Sequence, residues 1–384
     1  MITLQSTDYV LKTFYLDAVT DYLNAKINPF LARIKKTETD VVGKDVQVVC
    51  RPGIHGGFVA GSEMDDLPKT STQEFLVLTS SLKNLYGMIE ISDKAIRASA
   101  KKEGAMVSLL DSEIESLVKS AKINFGRMLF GDGSGQLAKI ESYESYAFTL
   151  DTIQNVFEGM YVDVVLDGTT YKKLKITTVD RENKQVFFAS DDDIPDSATN
   201  PGSMYLHNSK DNEITGLKAI FSKNELYNLD RASSFMQPHE LDLDDYVQMD
   251  RIQEMMDRVE LASGKKVDFI VCSYGVKRAL MRHFREIGMH IPTMKLESGD
   301  IALDYFGVPI VADRFCPAGE MYLLTTECFK LCQLCDWQWL EAEDGKILKQ
   351  IPGKAAYTAT LVKYAELICD TPCAQARIIN CIEE

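Results

Sequence analysis

The stretch MVSLLDSEIESLVKSAKINFGRMLF (106–130), followed by GDGSG (131–135), decides how the chain is read. Its apolar residues fall at Val107, Leu110, Ile114, Leu117, Val118, Ala121, Phe125, Met128 and Leu129. Steps of three and four make one continuous apolar stripe on a helix. Asp111, Glu113 and Glu115 come early on the opposite face, with Lys119, Lys122 and Arg127 late, the order a helix macrodipole favours. The glycines at 131, 133 and 135 end it, since they supply turn conformations and no side chain to extend the stripe. At about 1.5 Å per residue the helix is roughly 35–40 Å long. That length suits a spine lying across an extended subunit.

N-terminal to this spine, residues 1–45 read as an arm with little core of its own. A helical pattern (Val10, Leu11, Phe14, Tyr15, Ala18, Val19, Tyr22) precedes a basic stretch broken by Pro29. Residues 46–91 read as a hairpin, with strands near DVQVVCRP and QEFLVLTSSLKNLYGMIEIS and a glycine-rich tip between them. A structureless loop this long is usually functional. Its apolar residues Ile54, Phe58, Val59, Met64 and Leu67 are the expected contacts to another copy, because an exposed apolar hairpin needs a partner to cover it. A short helix, SDKAIRAS with Ser92 as N-cap, leads on to the spine.

After GDGSG the pattern turns to strands and turns. Signals at Asp167-Gly168, Glu182-Asn183 and Asn200-Pro201-Gly202 place a small antiparallel barrel or sandwich at 149–231. The acidic run Asp191–Asp196 lacks the ligand spacing of a calcium loop and reads as a solvated turn. Beyond it the chain is mixed α and β. A helix is expected from Asp244-Asp245 to Gly264 and a second over YGVKRALMRHFREIG. Strands are expected at VDFIVCS, GVPIVADRF, EMYLLTTE, FKLCQLCDWQWL, AAYTATLVKYAELIC and AQARIINCIE, with a hairpin turning at Asp344-Gly345.

Composition narrows the function. The 384 residues carry a formal net charge of -15, which disfavours tight binding to phosphate backbones. No run approaches the roughly 18 apolar residues of a membrane span, and the N-terminus has no secretory pattern, so the protein is expected to stay where it is made. Five histidines are dispersed, and no HExxH, GxSxG or P-loop lysine motif is present. GDGSG follows a helix instead of opening one, so no helix N-terminus aims at a would-be phosphate. The nine cysteines read as reduced core residues. Cys328-x3-Cys332-x2-Cys335 matches an iron–sulfur spacing, but on a strand Cys328 and Cys332 share one face and Cys335 points to the other. No cofactor, metal or catalytic residue is expected.

Taken in order, LKNLYGMIEISDKAIRAS, the spine ending in MLFGDGSGQ, EITGLKAIF with YNLDRAS, VDFIVCS, FGVPIVADRFCPAGEMYLL and DWQWLEAEDGKIL resemble the major capsid proteins of tailed bacteriophages, the Hong Kong-type coat fold. The resemblance covers nearly the whole chain. It implies an α+β subunit with an N-terminal arm (1–45), an E-loop hairpin (46–91), a P-domain with the spine helix (92–148 and 336–357), an inserted β domain (149–231) and an A-domain (232–335 and 358–384). It also implies a non-enzymatic coat protein of the virion, assembled in the bacterial cytoplasm into an icosahedral shell around double-stranded DNA that it contacts only weakly. The implied partners are other copies in hexamers and pentamers, a separate scaffolding protein and a portal. Some relatives cross-link a lysine to an asparagine; Lys69 is available, but EAEDGKILKQIPGK supplies no Asn, so cross-linking is not expected. An encapsulin-like compartment shell is the alternative on the same fold, and an iron–sulfur enzyme using the three cysteines is the alternative of another class.

Overall fold

The computed structural model describes residues 28–53, 55, 57–58, 60, 74–94, 103–144, 147–189, 201–222, 224–288, 291–296, 301–341 and 346–383. The chain divides into two compact units. One holds the chain up to Ala32, Lys83–Ala219 and Cys335–Ala365; the other holds Arg33–Leu82, Ile220–Leu334 and Glu366–Glu384.

The second unit begins with β1 (Lys35–Thr37), β2 (Val41–Val42), β3 (Asp45–Cys50) and β4 (Leu76–Ser81). Strands β2, β3 and β4 form an antiparallel sheet in that order, with β3 and β4 paired residue for residue from Asp45↔Ser81 to Cys50↔Leu76. Gly43, at φ +66°, takes the left-handed first position of the two-residue loop between β2 and β3.

In the first unit, β5 (Lys83–Ser92) precedes α1 (Glu103–Phe130), the spine. Its 28 residues span about 42 Å. Ser92, read from sequence as a helix N-cap, closes β5 in register with Ala356 and directly precedes the helical residues Asp93 and Lys94; the rest of that short helix lies outside the described residues. The buried stripe of α1 comprises Ile114, Phe125, Met128, Leu129 and Phe130. It packs close to β5 where Gly87 faces Leu117, and a Cβ there would meet Leu117 Cδ1 at 2.9 Å, so that the leucine would have to shift.

The barrel follows: β6 (Gln136–Glu144), β7 (Ala147–Leu150), β8 (Tyr161–Leu166), β9 (Thr169–Asp180), β10 (Gln185–Phe188) and β11 (Pro201–Leu206) close in the order β10-β7-β6-β11-β8-β9. Phe148, Leu150, Val162, Val164, Ile176, Val186 and Met204 fill its interior. Asp167 and Gly168, both at positive φ, form the tight turn between β8 and β9. The barrel thus spans 136–206, shifted from the 149–231 read in the sequence. Leu137, Ala138 and Ile140 are buried in the barrel's apolar cluster and bring β6 into the wall, while residues after Leu206 turn back toward the helix.

Both ends of the barrel are fastened at the C-terminal turn of α1. Arg127 donates two hydrogen bonds to Glu213, at 2.9 and 2.5 Å, with both side chains buried. Asp211 N–H donates to Ser134 O at 2.9 Å. Gly216 lies so near the last carbonyls of the helix that a Cβ would meet Met128 O at 2.3 Å and Gly131 O at 2.6 Å. Gly135, at φ +78°, approaches Ser209 O equally closely.

The second unit resumes within α2 (Leu217–Ser222) and continues with β12 (Glu225–Leu226), β13 (Leu229–Asp230), β14 (His239–Asp242), α3 (Met249–Ser263), β15 (Phe269–Cys272), α4 (Tyr274–Glu286), β16 (Thr293–Lys295), β17 (Ile301–Tyr305), β18 (Val308–Ala312) and β19 (Met321–Leu324). The last strands are β20 (Phe329–Trp339), β21 (Lys349–Gln350), β22 (Ala356–Cys369) and β23 (Ala376–Ile379). A seven-stranded sheet runs β14-β23-β19-β15-β18-β17-β16. Ile252, Met255 and Val259 of α3 and Val276, Leu280 and Phe284 of α4 share one apolar cluster with Ile270, Ile310, Leu323 and Ile378. The two helices therefore cover the same face of this sheet. Helix α3 starts at Met249, not at Asp244-Asp245: Asp244 sits at φ +46° and Asp245 O accepts the Ile382 N–H, which commits that backbone to a loop. Gly264, at φ +69°, caps its end.

In the first unit, β22 pairs antiparallel with β5 over ten positions, from Ala356↔Ser92 to Ala365↔Lys83. Lys363 on β22 is fully buried, ion-paired to Asp336 at 2.6 Å and set over the rings of Phe125 and Trp337. The turn read at Asp344-Gly345 lies outside the described residues.

Arg127→Met leaves the Glu213 carboxylate buried without its counter-charge, which costs about 3–5 kcal/mol. Adding Glu213→Leu should recover much of that loss, because two apolar groups need no hydrogen bonds. Denaturant melts of unassembled subunits give both values; equal stability of Arg127→Met and wild type would show that the pair holds nothing.

Candidate inter-subunit surface

Strand alternation gives the hairpin two unlike faces. Val46, Val48 and Cys50 of β3 and Leu78 of β4 are buried within the second unit. Burial pushes the Cys50 thiol up to about 12, so it stays protonated and unreactive. Val49 and Val77, directly opposite each other in the ladder, are exposed on the other face, with Val42 and Phe75 also exposed. The Arg51 guanidinium lies 5.6 Å from the Phe75 ring centre. The base of the hairpin is held by Thr79 N–H donating to Tyr227 O (3.2 Å) and by Lys330 facing Asp40 at 3.6 Å.

Of the five tip residues expected to make contacts, Phe58 is described and is 94 % exposed. Ile54, Val59, Met64 and Leu67 lie outside the described residues. The alternation of DVQVVC and FLVL carries the signal for the exposure of Val49, Phe75 and Val77; Val42, outside both runs, leaves no such trace. In the first unit, β5 likewise turns Tyr86 and Met88 outward. Tyr86 meets Tyr364 edge-on at 6.3 Å.

The cysteine run does not assemble a site among the described residues. Cys332 and Cys335 lie on β20, and Cys328 and Cys332 are buried while Cys335 is half-exposed. Cys328 Sγ instead accepts from Lys265 Nζ at 3.2 Å, and burial raises Cys328 to about 11 and Cys332 to about 12. No three His, Cys, Asp or Glu side chains among the described residues converge as a metal site. The Asp191–Asp196 run lies outside the described residues. No helix among them is long and apolar enough to cross a membrane.

One carboxyl is strongly perturbed. Asp313, after β18, is 3 % exposed; its Oδ1 accepts the Phe315 N–H at 2.9 Å, while Oδ2 is buried with no hydrogen-bond partner among the described residues. Burial raises its pKa to about 6.

No protein-family model matches this sequence, and no curated protein does. Solved structures do match by fold. The capsid subunit of cyanophage A-1(L) superposes with a TM-score of 0.56 at 11% identity, covering 97% of this chain and 95% of that one. The SrpI encapsulin of Synechococcus elongatus PCC 7942 gives 0.51 at 12% identity, covering 93% and 89%.

Asp313 makes folding stability depend on pH. Its native pKa lies above the unfolded value near 4, so ionisation is harder in the folded chain. Its cost is absent below about pH 4, grows as pH rises toward 6, and is constant above, amounting to about 2–3 kcal/mol. Asp313→Asn should remove this slope; melts of unassembled subunits at pH 4.5 and 7.5 that fall in parallel for variant and wild type would refute it. A spine helix bearing an inserted barrel, an apolar-faced hairpin and a helix-covered seven-stranded sheet make up the Hong Kong-type coat fold that this chain shares with phage capsid and encapsulin subunits.

Proposed function

We propose that this protein is a structural, non-enzymatic shell subunit, the major capsid protein of a tailed phage, assembling into a closed icosahedral shell around double-stranded DNA. The observation that carries the reading is fold likeness to a capsid subunit over almost the full length of both chains. The exposed apolar face of the hairpin supports it, because Val49, Val77, Phe75 and Phe58 lose water contact only when another chain covers them. Burying one such side chain contributes roughly 1.5–3 kcal/mol, and a shell repeats the gain in every copy. The tip residues Ile54, Phe58, Val59, Met64 and Leu67 belong to the same contact. Partners are other copies in hexamers and pentamers, with a separate scaffolding protein and a portal. The acidic balance of -15 suits a wall that packaged DNA touches only weakly. The location that follows is the virion, after assembly in the bacterial cytoplasm.

An encapsulin-like shell enclosing a protein cargo is the second reading, favoured by the match to the SrpI encapsulin. The two separate on contents. Purified particles should appear in electron micrographs as closed shells, and those recovered from the native source should yield nuclease-protected double-stranded DNA. A protein cargo without DNA would move the assignment to the compartment shell, and a protein that forms no particles under any condition would remove both.

The hairpin has its own test. Phe58→Ser with Val49→Thr and Val77→Thr should shift subunit melting by less than about 0.5 kcal/mol, as expected of exposed positions. The same chain should fail to close shells. Normal shells from the triple variant would show that this face is not a contact.

A further inference from the structure

Within the first unit, α1, β5, Trp337 of β20 and the segment leaving β11 enclose a cavity of about 340 Å³. It shares Tyr86, Ser120, Asn124, Leu206 and His207 with an outer groove of about 960 Å³ between α1 and the barrel. Both volumes fall in the range of small-ligand sites, about 300–1,000 Å³. Two buried polar atoms of the inner wall are unsatisfied. Trp337 is 4 % exposed, and its Nε1 has no acceptor among the described residues. Asn124 Nδ2 donates to Ser120 O at 3.0 Å, which fixes the amide and leaves its buried Oδ1 an acceptor without a donor. An unpaired buried donor and acceptor are unfavourable, so a ligand that offers both functions gains at this wall.

The remaining lining narrows the kind of ligand. Glu213 is engaged by Arg127, and His207 uses Nδ1 on Asp163 at 2.7 Å and Nε2 on Asn208 Nδ2 at 3.1 Å. A charged ligand therefore finds no uncommitted counter-charge in the inner cavity among the described residues. In the outer groove, Glu158 accepts the Val179 N–H, and Arg181 donates to the carbonyls of Ile153 and Val156. Lys119 is exposed there on the helix. Tyr86 and Tyr161, 63 % and 44 % exposed, offer flat rings along the groove. A sugar ring suits this lining: each hydroxyl both donates and accepts, and its C–H face packs on aromatic rings.

We propose that this cavity binds a neutral oligosaccharide. One hydroxyl accepts from Trp337 Nε1, another donates to Asn124 Oδ1, and further rings continue past Tyr86 and Tyr161 in the outer groove. The site goes beyond the shell reading and does not depend on it, since every group belongs to one unit of one subunit. It gives the subunit an affinity for glycans that shell building does not require.

The chain has two tryptophans, Trp337 and Trp339, so indole fluorescence reports on the site once Trp339→Phe removes the second. Full-length Trp339→Phe subunits, titrated with chitotriose and with maltotriose, should show a saturable emission shift with at least one trimer below about 10 mM. Calorimetry on wild type should give the same midpoint. Asn124→Ala and, separately, Trp337→Phe, each checked by circular dichroism, should weaken calorimetric binding about tenfold, as expected for one lost hydrogen bond. No saturable response to either trimer overturns the proposal, as does wild-type affinity in a folded Asn124→Ala or Trp337→Phe chain. Binding by free subunits that vanishes in assembled particles assigns the cavity to a segment of a neighbouring copy and overturns it too. Whether shells form is read separately by electron microscopy, so failure here leaves the shell reading in place.

Discussion

The buried pair between Arg127 and Glu213 is the fastening on which the first unit depends. Taking two charges out of water is unfavourable, and here both guanidinium–carboxylate hydrogen bonds are made at the end of a helix whose dipole welcomes a cation. The pair closes a loop that contains an entire barrel. Gly216 completes the joint because only a residue without a Cβ lets the returning chain approach the last helix carbonyls. The barrel is therefore fastened to the C-terminal end of the spine.

The second unit works by a different constraint, the two-residue period of its strands. Strands β15, β18, β19 and β23 of the seven-stranded sheet send Ile270, Ile310, Leu323 and Ile378 under α3 and α4. The short hairpin sheet obeys the same rule with nothing among the described residues over Val49 and Val77. An apolar face left open in a subunit is a cost in isolation and a driving force in an assembly.

Much of this was legible in the sequence. Helical spacing located α1 because a long amphipathic stripe with glycines after it has few other readings; the structure begins it at Glu103 where the sequence suggested 106. Runs rich in β-branched and aromatic residues located β3, β4, β15 and β22 as well. What failed was local competition between signals. Asp244-Asp245 looks like a helix N-terminus, but a left-handed Asp244 and the bond from Ile382 hold it in a loop, information that comes from residues far along the chain. The start of the barrel was missed because QLAKIESYE follows the glycine run directly, without a turn of its own to announce a new module. The partnership of Arg127 with Glu213 and of Lys363 with Asp336 was invisible for the same reason: charge pairs distant in sequence leave no periodic trace.

The placement of Lys83–Ala219 and Cys335–Ala365 in one unit has a consequence for synthesis on the ribosome. The barrel contains all its strands between 136 and 206, so its contacts are local and it can close while the rest of the chain is still emerging. The spine helix and β5 lack their partner β22 until residue 365 has been made. For that interval the apolar stripe of α1 is uncovered by its own strand, tethered to a finished barrel and dependent on a segment not yet translated. Polypeptide order alone thus makes the spine the last part of its unit to be completed, and the stage most open to chaperone binding or to capture by a neighbouring nascent subunit.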